Sequence, residues 1–345
     1  MQLFLYNRGN EAEQDVIAMD VELTGTLLGQ KKRLWQEFLA QAGLEADERV
    51  ERTALIWEDG ELIATGSRQD NLLKCIAVSD AHQGEGLTGT LLTQLRQEAF
   101  SAGHSHLFLY TKPKNKYMFS SLFFYPIAQT KDVLLMENKQ CGIKEYLDKL
   151  PVPVSAGTVG AAVMNCNPFT KGHRYLIETA AKECDHLYIF VLSEDKSFFS
   201  AADRIELVKR GTEDIPNVTV LPTGPYLISS ATFPTYFLKE QAQAEQVHCL
   251  LDIEVFCKYY APKFGITRRY VGTEPLCAVT NQYNEALAAF LPERGIELRQ
   301  IQRKEIDGTP VSASAVRAAL EQKDMETLRK IVPQTTFDYL QSKYL

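Results

Sequence analysis

Asn165-Cys166-Asn167-Pro168-Phe169-Thr170-Lys171-Gly172-His173 lies between two apolar runs. Pro168 breaks the extended run and Gly172 permits close backbone approach. His173 then falls in the first turn of a helix, where an imidazole can donate to phosphate oxygens with the helix dipole assisting. Thr170 adds a hydroxyl, and Lys171 or Arg174 adds charge. This suits phosphoryl chemistry, in which the protein mainly positions groups and neutralises developing charge. Taken alone, the histidine reads nearly as well as a helix cap. Far along the chain, Val311-Ser312-Ala313-Ser314-Ala315-Val316-Arg317 sets hydroxyls and free amides at another helix start, with an arginine one turn on. That is a second place to hold an anion. As an isolated feature it is an ordinary N-cap; paired with the first it becomes half of a transfer site.

Weaker candidates lie between. Lys196 sits on a loop after a strand, the edge of a parallel sheet that faces ligand; a solvated lysine is an equal alternative. Arg204 lies early in a helix and either meets nucleotide or pairs with Asp203 or Glu206. Gly272, Thr273 and Glu274 close a later strand. Upstream, Gln83-Gly84-Glu85-Gly86-Leu87 joins a strand to a helix, and glycines there let amides turn towards an anion. Tyr117 and Tyr125 offer a general acid, but beside Phe119, Phe123 and Phe124 they read better as packed aromatics.

The elements that must position these residues fall into two halves. In the first, Asp59-Gly60 marks a hairpin between β-rich runs, 72–80 is a further strand, and Leu91, Leu92, Leu95 and Ala99 space a helix that Gly103 stops. A strand follows at "HLFLYTK", then a short helix and turn ended near Pro126. The charged, helical and then Pro- and Gly-containing stretch 136–155 reads as the junction. After it strand and helix alternate: "VGAAVMNC", helix 171–184, "HLYIFVLS", a helix capped by Ser200, "NVTVLPTG", "RRYVGTEP" and "IELRQIQR". Such alternation predicts a parallel sheet covered by helices. The expected domains are 1–140, a linker 141–155, and 156–345.

With 345 residues, 45% of them hydrophobic and 23% charged, the chain has ordinary globular composition and suits two domains. A net charge of −7 argues against a basic nucleic-acid surface. No apolar run is long enough to span a membrane, and the first residues lack a signal-peptide pattern. The seven cysteines contain no CxxC spacing, which predicts reduced thiols, a cytoplasmic location and no zinc site.

The first half, with its hairpin, strand, Gln83-x-x-Gly86 loop and following helix, resembles the GCN5-related N-acetyltransferase (GNAT) fold. That likeness assigns Gln83, Gly84 and Gly86 to a coenzyme A-like arm. Thr88 departs from the usual glycine motif, with Gly89 one step late. The second half resembles the T/HxGH and ISSxxxR signatures of the Rossmann-like nucleotidyltransferases, with Thr170 in place of the first histidine. This resemblance implies that His173, with Thr170 beside it, stabilises the α-phosphate in flight. It also implies that Ser312, Ser314 and Arg317 hold the β and γ phosphates, and that Asn167, Pro168, Gly172, Arg204, Gly272 and Glu274 complete the ATP site, with Lys196 assisting catalysis.

Together the halves and their motif order resemble the citrate (pro-3S)-lyase ligase family. The resemblance implies an acid–thiol ligase that uses ATP and Mg²⁺ to adenylate acetate. The acetyl group then passes to the prosthetic-group thiol of the citrate lyase acyl-carrier subunit. The alternatives are an adenylyltransferase acting on a phosphopantetheine-like acceptor and a coenzyme A-dependent N-acetyltransferase. No nucleic-acid or membrane partner is expected.

Overall fold

The computed structural model describes residues 20–153, 157–229, 246–274 and 277–344. The chain divides into two compact units, Met1–Ser105 and His106–Leu345. In the first, β1 (Val21–Thr24) and α1 (Gly29–Gln41) lead into the antiparallel strands β2 (Arg52–Glu58), β3 (Glu61–Gln69) and β4 (Leu72–Val78), followed by α2 (Leu87–Ser101). The hairpin turns where expected: Asp59 and Gly60 have φ of 48° and 85°, the left-handed pair that matches strand twist. Helix α2 buries Leu91, Leu92, Leu95 and Ala99. It crosses β3 at Gly66, where a Cβ would stand 3.0 Å from Leu95.

The second unit opens with β5 (Phe108–Thr111), α3 (Lys116–Ser121), β6 (Tyr125–Gln129), β7 (Leu134–Glu137) and α4 (Gly142–Asp148). The short helix and turn expected ahead of Pro126 are present, α3 followed by a turn at 122–123. Pro126 itself lies inside β6, next to a register shift against β7, where a missing N–H costs no ladder bond. One expectation fails here. Met136 and Glu137 belong to a strand, so helix begins only at Gly142. The aromatics of this region also separate: Phe119 and Phe124 are buried, whereas Tyr117 is 83% and Phe123 66% exposed. Tyr117 is therefore not a packed aromatic.

Then follow β8 (Val159–Met164), α5 (Lys171–Lys182), β9 (His186–Val191), α6 (Ala201–Arg210) and β10 (Val218–Pro222). After them α7 (Gln246–Val255) continues through a π-helical Phe256–Tyr260 into α8 (Ala261–Phe264). The chain proceeds with β11 (Arg268–Gly272), α9 (Ala278–Phe290), β12 (Glu297–Ile301), the small hairpin β13 (Glu305–Ile306) and β14 (Thr309–Pro310), and helices α10 (Ala313–Glu321), α11 (Met325–Ile331) and α12 (Gln334–Tyr344). Five strands form a sheet in the order β10-β9-β8-β11-β12, all parallel. Every residue of β9 is buried, as a strand covered on both faces requires. One side of the sheet packs Ile177, Ala180, Leu207 and Val208 from α5 and α6 against Ala162, Leu187 and Ile189. The last three helices enclose a smaller core in which Phe199 and Val311 meet Val316, Leu320, Phe337 and Leu340.

Candidate functional site

The chain leaves β8 in one direction, to β9 and β10, and returns on its other side as β11 and β12. The space beyond the carboxyl ends of β8 and β11 is thus a topological switch point, where open α/β sheets bind ligands. Among the described residues, the ladder between these two strands is limited to Arg268↔Gly160 and Arg269↔Ala161. Further on they part. The Asn165–Thr170 loop leaves β8 into this gap, and Gly272-Thr273-Glu274 leaves β11 into it.

Helix α5 begins with a reciprocal cap. Thr170 Oγ1 accepts the His173 amide (3.3 Å), and the Thr170 amide donates to His173 Nδ1 (3.1 Å). Thr170 Oγ1 also lies 2.9 Å from Nδ1, so its hydroxyl hydrogen points to that nitrogen as well. This is a capping box in which histidine takes the usual place of glutamate. Its consequence is chemical. Nδ1 is the acceptor, so the neutral ring carries its proton on Nε2, the atom left to donate outward. Burial, with the Arg303 charge adding to it, pulls the His173 pKa down to about 4. At neutral pH the ring is an uncharged donor. Beneath it lies Phe169, stacked at 6.0 Å and 15° and fully buried.

Helix α10 starts beside α5. Its cap, Ser312, accepts the Ala315 amide at 3.1 Å, and Ser314 is exposed with its hydroxyl 3.4 Å from Ser312 Oγ. A Cβ on Gly172 would meet the Val311 carbonyl at 3.3 Å, so the two helix starts touch at a glycine. Arg317 Nη1 donates to the Asn167 carbonyl at 2.6 Å. Motifs more than a hundred residues apart are thereby joined. The first amides of each helix, Lys171 and Gly172 in one and Ala313 and Ser314 in the other, have no intrahelical acceptor, and the two helix starts adjoin at Gly172 and Val311.

The other predicted residues divide by what they touch. Asn167 accepts the Phe199 amide through Oδ1 at 3.0 Å, and Pro168 is buried behind it. Arg204 is fully buried. It donates to the Phe199, Asn165 and Glu194 carbonyls (3.0, 3.0 and 2.6 Å) and to Asn165 Oδ1 (2.7 Å). These bonds tie the loop after β9 to the loop after β8. Lys196 is carried on that loop and is exposed. Lys171 and Arg174 are committed elsewhere, the one to the Arg329 carbonyl and the other to Glu178 and Asp214. Gly272 passes close to Leu176 of α5 (3.4 Å from a built Cβ), and Glu274 holds Arg303 at 2.6 Å. Arg303 was not singled out from sequence. The signal was the basic pair Arg303-Lys304 just past the carboxyl end of a parallel strand.

In the first unit, Gly84 and Gly86 have φ of 93° and 80° with open space where a Cβ would be. Gly86 caps α2. The Gln83 side chain turns back to Asp80 Oδ1 at 2.8 Å. The loop is thus a left-handed glycine turn at a helix N-terminus, open to solvent.

Residues 159–340 match the family described as citrate lyase ligase C-terminal domain. Residues 22–119 match the acetyltransferase (GNAT) family. Relatives named citrate (pro-3S)-lyase ligase are 43% identical over 88% of this chain and 90% of theirs in Klebsiella pneumoniae, and 41% identical over 89% of each in Escherichia coli K12. A third with that name, from Haemophilus influenzae, is 38% identical over 90% of this chain and 95% of its own. The chain belongs to the citrate (pro-3S)-lyase ligase family. It is accordingly an enzyme, a ligase with a GNAT-like first domain and a parallel-sheet second one, as its sequence predicted. Among the described residues, no helix is long and apolar enough to cross a membrane.

Proposed function

We propose that this ligase adenylates acetate at the His173 site. It then passes the acetyl group to the prosthetic-group thiol, a phosphoribosyl-dephospho-coenzyme A, of the citrate lyase acyl-carrier subunit. The observation that carries this reading is the junction of the two helix starts, with Gly172 against Val311 and Arg317 on the Asn167 carbonyl. Two sets of free amides, a neutral Nε2–H donor and a guanidinium converge where a phosphate chain can lie.

An acetate oxygen attacks the α-phosphorus, and the bond to the bridging oxygen breaks, releasing pyrophosphate. His173 Nε2–H donates to the α-phosphate oxygens as their charge grows, and Thr170 keeps the proton on that nitrogen. Ser312, Ser314 and Arg317 hold the β and γ phosphates, with Asn167, Pro168 and Gly172 shaping the loop. The acceptor thiolate next attacks the acetyl carbonyl; the carbon–oxygen bond to phosphate breaks and AMP leaves. Lys196 approaches the phosphates or the carboxylate from its exposed loop. Arg204 serves by bracing that loop. Gly272 lets β11 end close against α5 near the nucleotide.

Mg²⁺ fits this site as a metal carried by the phosphates. Among the described residues no group of three His, Cys, Asp or Glu could hold a metal, and Glu274 is engaged with Arg303. Water and phosphate oxygens would complete its shell, and its chemistry would be charge neutralisation. Residues 1–140, ahead of a linker 141–155 and the catalytic 156–345, form a recognition domain for the prosthetic arm at Gln83, Gly84 and Gly86. The free thiols suit a cytoplasmic location.

The test is ATP–pyrophosphate exchange with acetate and Mg²⁺ and no thiol acceptor. Wild-type protein exchanges, and His173→Ala loses about a hundred-fold or more. Transfer of AMP onto a phosphopantetheine acceptor without any acetate-dependent exchange would replace this reading with an adenylyltransferase.

A further inference from the structure

Arg303 stands where three pieces of the site meet. Its amide donates to Thr273 Oγ1 at 3.1 Å, and its guanidinium pairs with Glu274 at 2.6 Å, tying it to the end of β11. The next residue, Lys304, accepts the Val311 amide at 3.0 Å, just ahead of α10. The Lys304 ammonium lies 5.2 Å from the Tyr175 ring of α5. The segment therefore touches the end of β11, α5 and the approach to α10, and none of the motifs read from sequence includes it.

We propose that Arg303 is a further phosphate-contacting residue of this active site, and that Glu274 is a positioning residue that aims it and does not itself touch nucleotide. The proposal rests on the reading of this site as an adenylating one. An ion pair this short has a function beyond bracing only if the cation has somewhere else to act. Here it does: the Arg303 charge reaches the His173 ring and disfavours its protonation. The other charges near that ring are placed otherwise. On α5, Lys171 is held by the Arg329 carbonyl and Arg174 by Glu178 and Asp214. On α10, Arg317 donates to the Asn167 carbonyl through Nη1 and is the phosphate contact already assigned to that helix. After β12, Lys304 lies over Tyr175. Arg303 alone among these is held by a carboxylate that itself follows a central strand into the gap. An incoming phosphate would share the guanidinium with Glu274, a bidentate geometry that lysine cannot copy.

The experiment compares wild type, Arg303→Gln, Arg303→Lys and Glu274→Gln. Exchange kinetics would be measured for ATP, pyrophosphate and acetate separately, together with the His173 titration by NMR. Arg303→Gln is expected to raise KM for ATP and pyrophosphate about ten- to a hundred-fold while sparing that for acetate. It is also expected to move the His173 midpoint upward. Arg303→Lys should restore the midpoint but little of the KM, and Glu274→Gln should raise the same two KM values by less. If Arg303→Gln, folded by its NMR spectrum, leaves both phosphate KM values within two-fold, the proposal is overturned. If the wild type shows no acetate-dependent exchange, the adenylation reading fails. ATP binding by calorimetry then decides this one: affinity equal in Arg303→Gln and wild type rejects it, and a ten-fold loss upholds it.

Discussion

His173 can serve as a donor because its other nitrogen is already taken. Thr170 supplies an amide and a hydroxyl to Nδ1, so the short motif works as a unit. Its threonine is buried and bonded to the histidine through both its amide and its hydroxyl. The same enclosure has a measurable cost. The His173 pKa falls from 6.5 to about 4, so between those values the unfolded chain binds a proton that the folded chain refuses. Stability therefore rises with pH through this window and is lost as pH falls from 6.5 towards 4, by at most about 3 kcal/mol. Urea unfolding at pH 7 and pH 4.5 should show this loss in the wild type and a smaller one in His173→Gln. An identical loss in both would place the effect elsewhere. At this scale the sequence was legible wherever partners lie within one turn, as Thr170 and His173 do. It was mute on Arg303, whose carboxylate partner is far away in the chain and reaches it only because β11 and β12 are neighbours in the sheet.

Strands and helices were legible where burial imposes a period. The apolar run of β9 and the spaced leucines of α2 announce themselves because each must hide a face. Strands β6 and β7 did not: both are short, Pro126 and the charges after Glu137 break their patterns, and β6 lies at the sheet edge. Nor does local pattern show that Arg204, a charged residue early in a helix, will be fully buried; that depends on two loops offering it carbonyls at once. Packing between elements makes its own prediction. At the end of α6, a Cβ on Gly211 would stand 2.3 Å from Phe169 Cε1, and Phe169 is the ring stacked beneath His173. Gly211→Ala should therefore cost about 1–3 kcal/mol of stability and slow exchange as well. Gly265→Ala, at a left-handed position with open space, should cost about 1 kcal/mol and leave exchange alone. Equal effects of the two on exchange would show that Phe169 does not transmit the shift.

Across the whole chain the two kinds of site call for separate losses. The glycine turn at Gly84 and Gly86 is exposed and left-handed, and it belongs to the half matched by the GNAT family. Replacing both glycines with valine should raise KM for the acyl carrier while acetate-dependent exchange continues; exchange lost in a folded variant would defeat that division of labour. The second domain carries a different legacy in its sheet. Strands β8 and β11 pair at Arg268↔Gly160 and Arg269↔Ala161 and then part, leaving the middle of the sheet unclosed at its carboxyl end. On the proposed assignment of this gap to ATP, a nucleotide lodged there would take the place of the missing rungs and link occupancy to folding. The protein would then be most durable while its substrate is plentiful, and its lifetime in a cell would follow the nucleotide supply even before any turnover is counted.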